Sequence, residues 1–328
     1  MKTYGISAQF TAFLACTIAA ISMMSCSKDV PIGNPIDINA GYILPQSGAS
    51  DEDNARIMDI YEKWSSYVLY DMDSTDVYWN QIAGTSSSGG WIYCFEKGDP
   101  AYVGDMLDYL DEIWWHYFPD EFLQSGGIPF RVYMVDQYYR YRDYGDGQMS
   151  MLTYDDFQVN DNSIIVSGMS VVSTYDADTK RAKKRALINA LFTNWQNRSV
   201  ITVPTEFYAL SDYTTEPEMT TDNGWSYYFT EEQLEAYRNR GFIPRITETS
   251  GYINSSEIYT KYSETNSSWT NSDPRSADFQ AYISQMLYAT DEEVAAFLKY
   301  ETVAAKWNTI LDYYRDNYGF DLRGIATE

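Results

Sequence analysis

The aromatic load decides first what this chain can be. Nine Trp, 31 Tyr and 14 Phe among 328 residues, within a hydrophobic content of 45%, carry more apolar surface than a chain leaves in water, so a folded body with a sizeable core is required. Charge opposes compaction: 23 Lys and Arg stand against 47 Asp and Glu, a formal net charge of −24. Acidic chains that stay unfolded are poor in aromatics, and this one is rich in them. So negative a surface repels phosphate backbones, which argues against nucleic acid as a partner. The whole length holds one histidine, His116, which rules out zinc sites and catalytic arrangements that need two.

The N-terminus reads as an address. Lys2 is the only charged residue before Lys28, and Phe10 to Met24 is apolar or small, the layout of a secretory signal too short for comfort as a membrane span. The run ends in Met24-Ser25-Cys26, a small residue directly before cysteine, as in a bacterial lipoprotein processing box. Residues 1–25 are therefore expected to be removed and Cys26 to carry the lipid anchor. Cys16 leaves with the signal, so Cys94 is the sole remaining thiol and no intramolecular disulfide is expected. Residues 26–50 hold Pro31, Pro35 and Pro45 with Gly33, Gly41 and Gly48, which suits a flexible tether.

The folded body is expected over 51–328. Asp51-Glu52-Asp53-Asn54 opens an acidic helix start, with Ile57, Ile60, Tyr61, Trp64 and Val68 at helical spacing and a strand signal from Tyr67 to Asp71. Gly84 to Gly90 reads as a loop. Asp99-Pro100 opens a second helix reaching Phe118. Strands are expected at 130–135, 163–167 and 169–173, with a polar loop around Gly145-Asp146-Gly147. Helices follow at 177–196, 230–240, 276–287 and 291–318, and a Ser/Thr/Asn-rich loop spans 247–273. That order points to an α+β fold.

Few chemistries survive this inventory. His116 sits in Trp114-Trp115-His116-Tyr117, where packing among aromatics is the plain reading, and nothing in the local sequence pairs it with Cys94. Carboxylate pairs suited to glycoside hydrolysis are too abundant to single one out. The clusters Asp71, Asp73, Asp76 and Asp143, Asp146, Asp155, Asp156 match no calcium-loop spacing, and no nucleotide-binding glycine motif is present. More suggestive is Tyr138-Tyr139-Arg140-Tyr141-Arg142-Asp143-Tyr144, which sets aromatics among charges. Tyr138, Tyr139, Tyr141 and Tyr144 are the candidate ligand contacts, since exposed Tyr offers rigid apolar area with a polar tip.

Taken together, the tether, the first helix, Tyr67-Val68-Leu69-Tyr70-Asp71, the Trp-rich second helix and the long helix 177–196 resemble the zinc-binding metallopeptidase-like lipoproteins often encoded beside SusC/SusD-type outer-membrane uptake systems. The resemblance covers about residues 51–318 and is one of pattern. It implies a zincin-like single domain and, in that family, a His-Glu-x-x-His helix in which one turn sets both histidines on zinc and the glutamate activates water. Here that helix reads Ala186-Leu187-Ile188-Asn189-Ala190. A further family segment, Glu-Asp-Phe-Ala-Glu, corresponds to Ala277-Asp278-Phe279-Gln280-Ala281. The expected zinc-site positions thus hold Ala186, Leu187, Ala190 and Ala281, and neither metal nor cofactor is expected. The resulting expectation is a lipid-anchored outer-membrane surface protein, inactive as a metallopeptidase. It would serve as an accessory ligand-binding or assembly component of a SusC/SusD-type complex handling peptide or glycan. The alternatives are a hydrolase with a non-zinc centre and a purely structural subunit.

Overall fold

The computed structural model describes residues 42–77, 91–144, 147–215, 220–221, 227–228, 230–249, 252–256 and 274–327. The expected signal peptide, Cys26, the loop 84–90, Gly145-Asp146 and most of the loop 247–273 lie outside the described residues. Leu44–Glu328 form one compact unit, the body. It begins before Asp51. Gln46, expected in the tether, accepts from the Tyr70 and Asp71 backbone N–H groups at 2.8 and 3.1 Å and donates to the Asp71 carbonyl at 2.5 Å.

The centre of the sheet is made of strands buried on both faces. β1 (Tyr67–Leu69), β3 (Arg131–Arg142) and β6 (Ser163–Val166) run parallel in the order β1-β3-β6, and β5 (Phe157–Val159) closes that side antiparallel to β6. Val68, Val132, Met134, Val135 and Ile164 are fully enclosed, which is why these strands read as apolar runs and not as alternation. Beyond Val135 the long strand β3 leaves its parallel neighbours. It pairs antiparallel with β2 (Trp91–Lys97) and β4 (Ser150–Tyr154), forming a three-stranded ribbon.

Helices cover this sheet. α1 (Asp51–Trp64) is capped by Ser50, whose hydroxyl accepts the Asp53 N–H, carries three acids in its first turn and stops at Ser65 in the left-handed region. Val68 therefore belongs to β1 and not to the helix. α2 (Val103–Ile113) follows a single turn capped by Asp99, and the chain breaks at Trp114. α3 (Ala177–Asn197) is capped by Asp176 and buries Leu187, Ile188, Leu191, Phe192 and Trp195 along one stripe, each side chain contributing about 1.5–3 kcal/mol. α4 (Glu231–Asn239) starts with a complete capping box at Thr230 and Gln233. α5 (Pro274–Tyr288) is buried at every position from Asp278 to Tyr288, the mark of a helix running through the core.

Several expectations are corrected. The segment 169–173 is a turn and not a strand: Val171 N–H bonds back to Gly168 O at 2.8 Å, and the Asp136 carboxylate takes the Ser170 N–H at 3.0 Å. The single helix expected at 291–318 is two, α6 (Asp291–Phe297) and α7 (Glu301–Tyr318). The chain leaves helical conformation at Tyr300 (φ −88°, ψ 119°), whose ring packs on the core. Part of the loop 247–273 is an antiparallel pair, β7 (Arg245–Thr249) with β8 (Tyr252–Ser256). The strand expected at 130–135 runs on through the Tyr-rich stretch to Arg142.

Candidate functional site

The positions the resemblance assigns to zinc chemistry lie on two helices that pack together, α3 and α5. Gln280 donates to Gln196 Oε1 at 2.9 Å and lies 3.5 Å from the Thr193 hydroxyl across that contact. Ala186 and Ala190 stand one turn apart, half-buried, whereas Leu187 and Ala281 are fully buried. Leu187, which the resemblance sets at the position of the water-activating glutamate, is a core residue. The flanking charges are of the wrong sign for a dication. α3 carries Lys180, Arg181, Lys183, Lys184 and Arg185 immediately before these positions. Arg185 meets the Ala326 carbonyl at 3.2 Å instead of a carboxylate, and burial together with Arg181 and Arg323 holds its pKa below the usual arginine value. Among the described residues no group of three His, Cys, Asp or Glu is placed to hold a metal ion.

The described members of the acidic clusters are spent locally. Asp73 and Asp76 accept each other's backbone N–H groups at 2.9 and 3.1 Å, and Asp71 pairs with Lys97 at 2.7 Å. Asp155 and Asp156 pair with Arg140 and Lys183. His116 is exposed yet held in place among aromatics: its ring centre lies 3.8 Å from that of Tyr117, and its Nδ1 donates to the Asp111 carbonyl at 2.5 Å. Cys94 lies on the ribbon with its thiol pKa raised by burial, away from the nucleophile's requirement.

The ribbon separates the four candidate tyrosines. Directly opposed residues share a face, so Ile92, Cys94, Tyr139, Tyr141 and Tyr154 stand on one side, and Trp91, Tyr93, Phe95, Tyr138, Arg140 and Arg142 on the other. Tyr138 is 1% exposed, stacked on Tyr93 at 6.4 Å, and its hydroxyl is pushed far above the ordinary phenol value by burial. It belongs to the interior. Tyr139 and Tyr141 are half-buried on the opposite face, with the Tyr139 ring 5.7 Å from that of Tyr154, and Tyr144 is exposed beyond the strand end. Sequence reasoning missed Met149, Met151, Leu152 and Tyr154. With Tyr144 they make five of the ten exposed large apolar side chains among the described residues, all within eleven positions.

A second polar centre was also missed. Lys306 on α7 and Asp278 on α5 are both 0% exposed and form an ion pair through Asp278 Oδ2. Lys306 Nζ also donates to Ser211 Oγ at 3.0 Å and to the Gly241 carbonyl at 2.9 Å, and Tyr213 donates to Asp278 Oδ2 at 2.5 Å. The ammonium sits 4.4 to 5.6 Å from the ring centres of Phe207, Phe242, Tyr282 and Tyr213. Asp278 Oδ1 is buried without a hydrogen-bond partner. Burial pushes the Asp278 carboxyl up to about 6 against the pull of Lys306 and Tyr213, and pushes the Lys306 ammonium down against the pull of Asp278. Fully enclosed, the pair meets no diffusing substrate; it fastens α5, α7 and the segments around 211–213 and 241 to one another. The legible signal was a lysine at a core position of the apolar pattern Val303, Lys306, Trp307, Ile310, Tyr314.

No family model matches the chain, and no curated protein matches it. A crystal structure of a "putative zinc-binding metallo-peptidase" from Bacteroides caccae ATCC 43185 is similar to it at 11% sequence identity and a TM-score of 0.41, over 85% of this chain and 91% of the other.

Proposed function

We propose that this chain is a lipid-anchored outer-membrane surface protein with a zincin-like body that has given up metal-dependent hydrolysis. It works as an accessory ligand-binding or assembly component of a SusC/SusD-type uptake complex. One observation carries the reading: where zinc chemistry would need two histidines and a general base, α3 offers Ala186, Leu187 and Ala190, with Leu187 built into the core and Arg185 beside them. The chain's one histidine, His116, lies on a different element. What the body does present is the apolar face of the ribbon, where Tyr139, Tyr141 and Tyr154 offer rigid contact area at little entropic cost.

Affinity purification of the native protein from membranes tests this reading. It predicts that a SusC/SusD-type pair co-purifies and that Tyr139→Ala with Tyr141→Ala weakens either that association or the binding of peptide or oligosaccharide. A protein that co-purifies with no such pair and binds neither class of ligand contradicts it.

A further inference from the structure

We propose that the cleft between α1 and α2 is a binding site for one ring of a neutral sugar. The proposal does not depend on the ribbon or on the fate of the zinc positions, because the cleft is built from other elements.

The cleft has a volume of about 160 Å³. An engineered cavity of about 150 Å³ takes up benzene, so this space suits one six-membered ring. Ile60, Leu107 and Trp115 supply its buried apolar floor, and Trp64 stands as a half-exposed wall, its ring 5.8 Å from that of Trp115 and inclined by 63°. Asp120 accepts the Trp64 indole N–H at 2.9 Å and so fixes the angle of that wall. An indole held by a hydrogen bond at its edge presents its face without further loss of rotamer freedom, which is the condition for a good aromatic platform.

The rim decides the ligand class. It carries two cations, Arg56 and Lys63, and two carboxylates, Asp59 and Asp111, which sum to zero. Lys63 and Asp59 are only loosely paired, 3.5 Å apart and both more than half exposed, and Arg56 is braced by Asp108 at 2.7 Å. With Arg56 answered by Asp108, Lys63 faces Asp59 and Asp111 with a surplus of one negative charge, and the −24 net charge of the chain disfavours anions. A rim that offers donors and acceptors side by side is matched by groups that are both at once. Hydroxyls are that group: each donates to a carboxylate while accepting from an ammonium or guanidinium. A hexopyranose combines several hydroxyls around its edge with a C–H face that lies against an indole. Apolar walls with a few convergent polar groups are the general build of a small-ligand site.

The test is titration of the full chain with neutral hexasaccharides of glucan, mannan and galactan type, read by tryptophan fluorescence and calorimetry. Galacturonan hexasaccharide and Lys- and Glu-containing tripeptides are titrated in parallel. The expected result is binding of at least one neutral hexasaccharide, weakened about tenfold or more by Trp64→Ala and by Asp111→Ala. Asp111 is exposed, so its replacement keeps the test valid if Trp64→Ala fails to fold. Glu292→Ala, an exposed change on α6, should leave this binding unchanged. Binding of charged ligands alone, no binding of any neutral hexasaccharide at millimolar concentration, or binding indifferent to Asp111→Ala overturns the proposal. Sensitivity to Tyr139→Ala in place of Trp64→Ala assigns the ligand to the ribbon and overturns it as well.

Discussion

Replacing Lys306 by Met deletes a buried charge while keeping most of the side-chain volume. In the native protein Asp278 Oδ2 receives the Lys306 ammonium and the Tyr213 hydroxyl, and Oδ1 receives nothing. Without the lysine the carboxylate retains one neutral donor in a site closed to water. Removing one partner of a buried pair costs about 3–5 kcal/mol, because the remaining charge is uncompensated. For a body of this size that corresponds to a fall in Tm of roughly 6 to 20 °C.

The sign of its pH dependence follows from burial. A carboxyl whose folded pKa is raised binds more protons in the folded state, so its contribution to stability declines as pH rises from the ordinary carboxylate range through about 6. In Lys306→Met the cation that restrained Asp278 is gone, its pKa rises further, and the decline continues to higher pH. The deficit relative to wild type is therefore larger at about pH 8 than at about pH 5. Adding Asp278→Val removes the orphaned charge and should recover much of the loss, with a coupling energy of about 2 kcal/mol. Urea denaturation of the four proteins of this cycle at both pH values is the assay. A cost below about 1 kcal/mol for Lys306→Met, or strictly additive single replacements, refutes the account of the pair.

Two further outcomes concern the backbone and the anchor. Gly241 has φ +87°, its carbonyl receives both Lys306 and the Tyr282 hydroxyl, and a Cβ there would lie 2.6 Å from Thr302 Cγ2. Gly241→Ala should thus destabilise by more than the about 1–2 kcal/mol of left-handed strain expected for Gly147→Ala, whose Cβ would meet nothing within 4 Å; denaturant midpoints compare the two. Cys26→Ala should release the protein from the membrane fraction or leave it unprocessed, and unchanged partitioning and processing on fractionation would count against lipid attachment.

Much of the helical frame was legible because its punctuation is local. Asp51 to Asn54 and Asp99-Pro100 read as helix starts, and the structure adds the caps that sequence reasoning missed, Ser50, Asp176 and the Thr230/Gln233 box, each supplying a side-chain acceptor to orphan N–H groups. The ribbon was not legible. Trp91–Lys97 and Ser150–Tyr154 become strands only because β3 continues past Val135 to pair with them, a long-range contact that no local pattern announces. For the same reason Tyr138 could not be told from Tyr139: which neighbour faces inward depends on the register. The break at Tyr300 lacks glycine or proline and arises from packing. At the candidate site, the residue types at 186, 187 and 190 were plain from the sequence, whereas the enclosure of Leu187 and the pairing of Asp278 with Lys306 are products of tertiary packing.

The claim at the centre of the proposed reading is that α3 and α5 do not form a zinc centre. Elemental analysis of the full chain, purified without chelator and then dialysed against buffer containing a modest excess of zinc followed by metal-free buffer, tests it most directly. The account predicts zinc far below one ion per chain and the same value for Ala186→Ser and Ala190→Ser, since neither alanine is a ligand. One zinc retained per chain would contradict it, because a zinc site takes three or four protein ligands of kinds that these positions do not hold.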